Sequence, residues 1–166
     1  SAELQAVARR LTEMRLDALR FRGPGTDLTV GLLPTSRWVG GGETTVDDIA
    51  HMANLPTEEV FTTPDPARTS GVVRATKPLE MGGTTVRDLE VRFEAGRAVE
   101  FRAESGAEAL QARTQRDAGG SYLGEVALVD RDSRVRKTGI VFYDTLFDEN
   151  AACHVAWGQG IPTALD

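Results

Sequence analysis

"TTVRDLEVRFEAGRAVEFRAE", residues 84–104, reads as a β-hairpin. Val86, Leu89, Val91 and Phe93 lead into an "EAGR" turn, and Val99 and Phe101 alternate back out of it. That two-residue period belongs to strands with one buried face. The same pattern recurs on both sides of the hairpin. Upstream, "TDLTVGLLP" (26–34) alternates into a strand, and "GVVRATKPLEMGG" (71–83) adds more extended chain. Pro56, Pro64 and Pro66 bracket Glu58–Thr63, whose β-forming residues predict a short extended element or a rigid loop. Downstream, "SYLGEVALVD" (121–130) and "IVFYDTLF" (140–147) are predicted strands, separated by "RDSRVRKTG" (131–139) as a basic loop.

Helical signals are fewer. Leu4, Val7, Leu11, Met14, Leu16 and Leu19 predict a helix over residues 2–20, stopped before Gly23 and Pro24. A second helix is predicted within 105–120, with Ser105 as N-cap, Glu108 at capping-box spacing and paired glycines at its end. "VGGGETT" (39–45) reads as a flexible turn, with Trp38 before it placed to pack over a sheet edge. Strands outnumber helices and are joined by tight turns. The expectation is an α+β fold, a mixed, largely antiparallel sheet with a few flanking helices, in a single domain over 1–166.

Composition narrows the function. Of the 166 residues 40% are hydrophobic and 27% charged, the balance of a globular chain, and no apolar run reaches the ~18–20 residues of a membrane span. The opening 22 residues are charged throughout, unlike a secretory signal. One cysteine excludes an internal disulfide framework and fits a reducing cytoplasm, the expected location. A net charge of −6 argues against an extended nucleic-acid surface. The arginines at 9, 10, 15, 20 and 22 and the "RDSRVRK" run are interleaved with acids or serine, as on solvated faces.

Metal-capable chemistry crowds into "YDTLFDENAACHVAWGQG" (143–160), which holds Asp144, Asp148, Glu149, Cys153 and His154. Neither H-E-x-x-H, a P-loop, G-x-S-x-G nor paired C-x-x-C occurs. Only His51 and His154 are available as a histidine base, and adjacent strand residues face opposite ways, so Cys153 is expected to be a buried structural thiol and not His154's partner. Glu125 lies inside the apolar run "LGEVALV", where a carboxylate must be paired, protonated or metal-bound. Alternation lets only one of Glu58 and Glu59 face inward. Two carboxylates with His154 in "AACHVAW" suit a divalent ion. The same residues are equally readable as an arginine-paired Glu125, a turn acid at Glu59 and a satisfied core histidine.

"NLPTEEVFTTPD" (54–65), "LGEVALV" (123–129) and "FDENAACHVAWG" (147–158), in this order, resemble the thermophilic metalloprotease family of aminopeptidase T and aminopeptidase S type enzymes. "GTDLTVGL" and "GGTTVRDLEVRFEAGRAVEFRA" extend the resemblance over essentially the whole chain. It implies a metal-dependent exopeptidase with two divalent ions, zinc or cobalt, acting on peptides with free N-termini, and a homodimer. Carried over position by position, it implies Glu59, Glu125 and His154 as metal ligands. The general base stays open; Asp144, Asp148, Glu149 and Asn150 are candidates to orient the ligands. Two departures are expected to matter. The family continues to a further His and Asp ligand and has an upstream domain, so the chain is similar to an internal piece of the catalytic region. Ile161 also stands where the family pattern carries a tyrosine. With three of five ligands, weak metal binding and negligible peptidase activity are expected of the chain alone. A non-catalytic domain for self-association or for binding peptide amino termini is the alternative.

Overall fold

The computed structural model describes residues 2–166. From the N-terminus run α1 (Ala2–Glu13), β1 (Ala18–Gly23), β2 (Thr26–Leu32), the two-residue strands β3 (Glu43–Thr44) and β4 (Ala50–His51), β5 (Glu59–Thr62) and the long β6 (Pro64–Arg74). They are followed by β7 (Leu79–Met81), β8 (Thr84–Val86), β9 (Glu90–Glu94), β10 (Arg97–Arg102), α2 (Ala107–Thr114) and β11 (Leu123–Val129). The chain then forms α3 (Arg134–Lys137), α4 (Thr145–Glu149), β12 (His154–Trp157) and a 3-10 turn, Pro162–Ala164.

β9 and β10 are the expected hairpin, with a bulge between Ala98 and Glu100. They end a five-stranded sheet of order β1-β2-β6-β9-β10, while a second sheet has the order β12-β11-β5. Every pairing in these sheets is antiparallel, and with the helices this is the expected α+β architecture. The core lies between the sheets. Leu28, Val30, Val91 and Phe93 of the large sheet bury themselves with Val60 and Val126 of the small one. Phe93 also stacks on Trp157 of β12 at 6.3 Å between ring centroids, tying the two sheets together. Trp38 is buried in this core and not laid over an edge.

Four local expectations are corrected. The first helix ends at Glu13 because Arg15 turns into the left-handed region at φ 47°, and Ala18–Gly23 pairs with Thr26–Leu32 through the Gly-Pro-Gly turn. The α2 helix is capped by Gly106 at φ 80°, while the Ser105 hydroxyl donates to the Thr85 carbonyl; a Cβ at 106 would meet Val86 Cγ2 at 3.0 Å. Within the expected basic loop, the Ser133 hydroxyl accepts from Arg136 N and starts α3. The expected strand at 140–147 gives way to a helix, α4, because the Asp144 carboxylate accepts from Phe147 N and Asp148 accepts from the Phe142 and Asp144 amides.

One glycine sets how the chain end crosses β11. A Cβ on Gly124 would sit 2.3 Å from the Gln159 carbonyl and 2.6 Å from that of Gly158, so only glycine lets that segment lie against the strand beside Glu125.

Candidate metal centre

Register builds the site. In the small sheet Val129 pairs with Glu59 and Ala127 with Phe61, while on the other side Ala127 pairs with His154 and Glu125 with Ala156. Directly opposed residues share a face and the period along a strand is two, so Glu59, Glu125 and His154 emerge on one face. The other face carries Val60, Val126 and Val155 into the core. Three segments separated by 66 and 29 residues thereby meet. One ligand-type atom from each of the three lies within 4.8 Å of the others.

Glu58 takes the opposite direction. Its carboxylate accepts from Arg134 Nε at 2.6 Å and from Arg134 N at 3.3 Å, so it anchors the start of α3. Glu59 is 6% exposed, and its Oε2 is buried without a hydrogen bond. His154 Nε2 lies 3.0 Å from that oxygen, yet the ring is not aimed to donate to it. Its Nδ1 is 3.0 Å from the Ala152 carbonyl, which can only accept. In the neutral ring Nδ1 therefore carries the proton and Nε2 presents a lone pair, the arrangement that prepares a histidine for a metal.

Electrostatics point the same way. Burial pushes the Glu125 carboxyl up to about 7, with the Glu59 and Glu149 charges adding to it and His154 opposing. Burial works against a charged His154, but the Glu59 carboxylate, the Ala152 carbonyl and Glu149 outweigh it and raise the imidazole to about 9. Negative charge converges here, offset only by the proton on His154, with no lysine or arginine of the described residues in an ion pair with Glu59 or Glu125. A divalent cation answers that imbalance, and two carboxylates with one imidazole are a donor set that fits it. No arginine pairs with Glu125 among the described residues, while His154 Nε2 lies at ion-pair distance from Glu59.

The neighbouring candidates divide. Glu149, at the end of α4, is half-buried; burial raises its carboxyl, and its charge bears on His154 and Glu59. Asp144 and Asp148 are spent on α4 and its approach. Asn150 is fully buried: its Oδ1 accepts from Glu58 N at 2.6 Å, its Nδ2 donates to the Leu146 carbonyl, and its own carbonyl accepts from Ser133. It positions β5, a role that a sequence shows only as a polar residue among small apolar ones. Cys153 is exposed and not buried as expected, with Sγ 3.4 Å from Val129 N. It makes no pair with His154, and His51 is exposed on β4. Ile161 is pinned by backbone to Thr63, whose hydroxyl both accepts from its N–H and donates to its carbonyl.

The sheet offers two acids and an imidazole at one point, a donor set that fits a divalent ion. The chain belongs to the thermophilic metalloprotease family, whose description matches residues 1–166. It is 53% identical over 156 residues to aminopeptidase T of Thermus thermophilus, covering 94% of this chain and 38% of that protein. Aminopeptidase AmpS of Bacillus subtilis is 45% identical over 149 residues, covering 90% and 36%. The solved structure of wild-type AmpT from Thermus thermophilus matches with a TM-score of 0.91 at 50% identity, over 97% of this chain and 41% of that one. A dihydroxypyridine dioxygenase from Pseudomonas putida, 12% identical with a TM-score of 0.66, shares the fold alone. The chain thus spans about two fifths of the length of the curated relatives it matches. Among the described residues no helix is long and apolar enough to cross a membrane.

Proposed function

We propose that this chain forms part of the catalytic region of a metal-dependent aminopeptidase, with Glu59, Glu125 and His154 as metal ligands. The observation that carries the reading is the buried Glu59 Oε2, which has no hydrogen bond and lies 3.0 Å from Nε2 of His154. A bound divalent cation, zinc or cobalt, would acidify a water and polarise the carbonyl of a scissile peptide bond. The chain's own residues do the rest. Ala152 fixes the His154 ring through Nδ1. Asn150 holds the backbone that aims Glu59 by accepting from Glu58 N. Glu149 is the acid outside the trio whose charge reaches His154 and Glu59, and it lines the same cavity as His154.

Three donors are one complement for a single ion, so a second ion draws its ligands from outside these residues. Peptides with free N-termini complete the reading, supported by the name aminopeptidase that the relatives carry. Calorimetric titration with zinc, followed by assay of leucine p-nitroanilide cleavage, tests it. The expected result is weak zinc uptake with negligible turnover by the 166-residue chain. Absence of uptake would contradict the ligand assignment, and robust turnover would contradict the need for further donors.

A further inference from the structure

The run "RDSRVRK" supplies none of the three ligand-type side chains, yet its serine is the most enclosed residue in it. Ser133 is 2% exposed, and its hydroxyl bonds in two directions. It accepts from Arg136 N at 3.2 Å, which caps α3, and it donates to the Asn150 carbonyl at 2.7 Å, 17 residues away. Capping needs only the acceptor, a task that aspartate or asparagine performs as well. The donated bond is a separate matter, because its partner is the fully buried Asn150.

From Asn150 the path to the ligands is short. Its Oδ1 accepts from Glu58 N at 2.6 Å, one residue before Glu59. Two residues beyond Asn150 stands Ala152, whose carbonyl lies 3.0 Å from His154 Nδ1. On the other side, Ser133 N donates to the carbonyl of Asp130, the residue that follows β11, the strand of Glu125. The Ser133 hydroxyl therefore joins the end of β11 to the stretch that sets both Glu59 and His154.

We propose that Ser133 is a positioning residue of the metal centre: by holding the Asn150 carbonyl it keeps Glu59 and His154 in place against Glu125. The proposal rests on the reading of those three as ligands and adds a residue that touches none of them. Without the hydroxyl, the buried Asn150 carbonyl loses this donor and must move to find another. The Glu58 amide and the turn before His154 move with it.

Cobalt titration with visible absorption tests it on wild type, Ser133→Gly, Ser133→Thr and Ser121→Ala. Glycine is tolerated at a helix N-cap, so Ser133→Gly removes the Asn150 bond with little harm to α3, while threonine keeps the hydroxyl. Ser121→Ala is the control: that serine is 4% exposed and donates to the Thr114 carbonyl at 3.1 Å, before the far end of β11. Groups that orient ligands directly are worth about 10–100-fold in metal affinity; one step further out, Ser133→Gly is expected to weaken cobalt binding about fivefold and shift the visible band. Ser133→Thr is expected to restore both, and Ser121→Ala to leave both unchanged. Hydrogen exchange in EDTA reads the same joint without metal: the Glu58 amide is expected to exchange about tenfold faster in Ser133→Gly and at the wild-type rate in Ser121→Ala. Should the glycine variant fail to fold, Ser133→Cys, a weaker donor of similar size, carries the exchange measurement. Wild-type cobalt affinity in Ser133→Gly, an equal loss in Ser121→Ala, or an unchanged Glu58 exchange rate would overturn the proposal. If wild type takes up no cobalt, the ligand reading fails instead, and faster exchange at Glu58 would still assign Ser133 its hold on β5.

Discussion

Glu58 and Glu59 are chemically alike and adjacent in the chain, yet only Glu59 faces His154 and Glu125. The strand sends Glu59 onto the face with His154 and Glu125, and Glu58 toward Arg134. The sequence limits the choice to one of the two by alternation, and the family resemblance implies Glu59; the structure places Glu59 with Glu125 and His154. The protonation of the trio gives a residue-scale prediction. Both His154 and Glu125 have raised pKa values, so each holds its proton more tightly folded than unfolded. Without metal, the stability each contributes is complete below its unfolded value and lost as pH rises, through about 9 for His154 and through about 7 for Glu125. Metal needs the deprotonated forms, so zinc affinity should climb from pH 6 to pH 9 and uptake at neutral pH should release protons. Calorimetry in two buffers of different ionisation enthalpy reads this directly; identical heats would contradict it.

At the scale of elements, strands bearing strong alternation were legible, while short helices were not. β9, β10 and β11 follow from Val91, Phe93, Phe101, Val126 and Leu128 on a period of two. By contrast "IVFYDTLF" is full of β-forming side chains, and its helix depends on Asp144 and Asp148 capturing nearby amides, a local choice that composition conceals. Asn150 was legible as a ligand-supporting candidate, but not as the joint between α3, α4 and β5. Asn150→Ala should cost about 2–3 kcal/mol, because the Glu58 amide and the Leu146 carbonyl lose their buried partner. It should also weaken zinc binding, since β5 carries Glu59. Urea unfolding and a zinc titration on the same variant would separate the two effects.

For the whole molecule, the site exists because two sheets fix three distant segments against a shared core. Sequence shows the segments, but their meeting depends on strand order β12-β11-β5, which no local pattern encodes. Gly124 belongs to this scale, since the segment after β12 crosses β11 over it and its Ile161 backbone meets the Thr63 hydroxyl. Gly124→Val should destabilise by at least about 2 kcal/mol, because two backbone carbonyls would have to move; a lowered urea midpoint checks it. On the proposed reading this register holds Glu59, Glu125 and His154, and not Glu58, around one cation. Cobalt titration followed by visible absorption tests it most directly on wild type, E58Q, E59Q, E125Q and H154N. The expected result is a cobalt spectrum kept in E58Q and lost, or weakened at least about tenfold in affinity, in each of the other three. Unchanged spectra in E59Q, E125Q and H154N would contradict it.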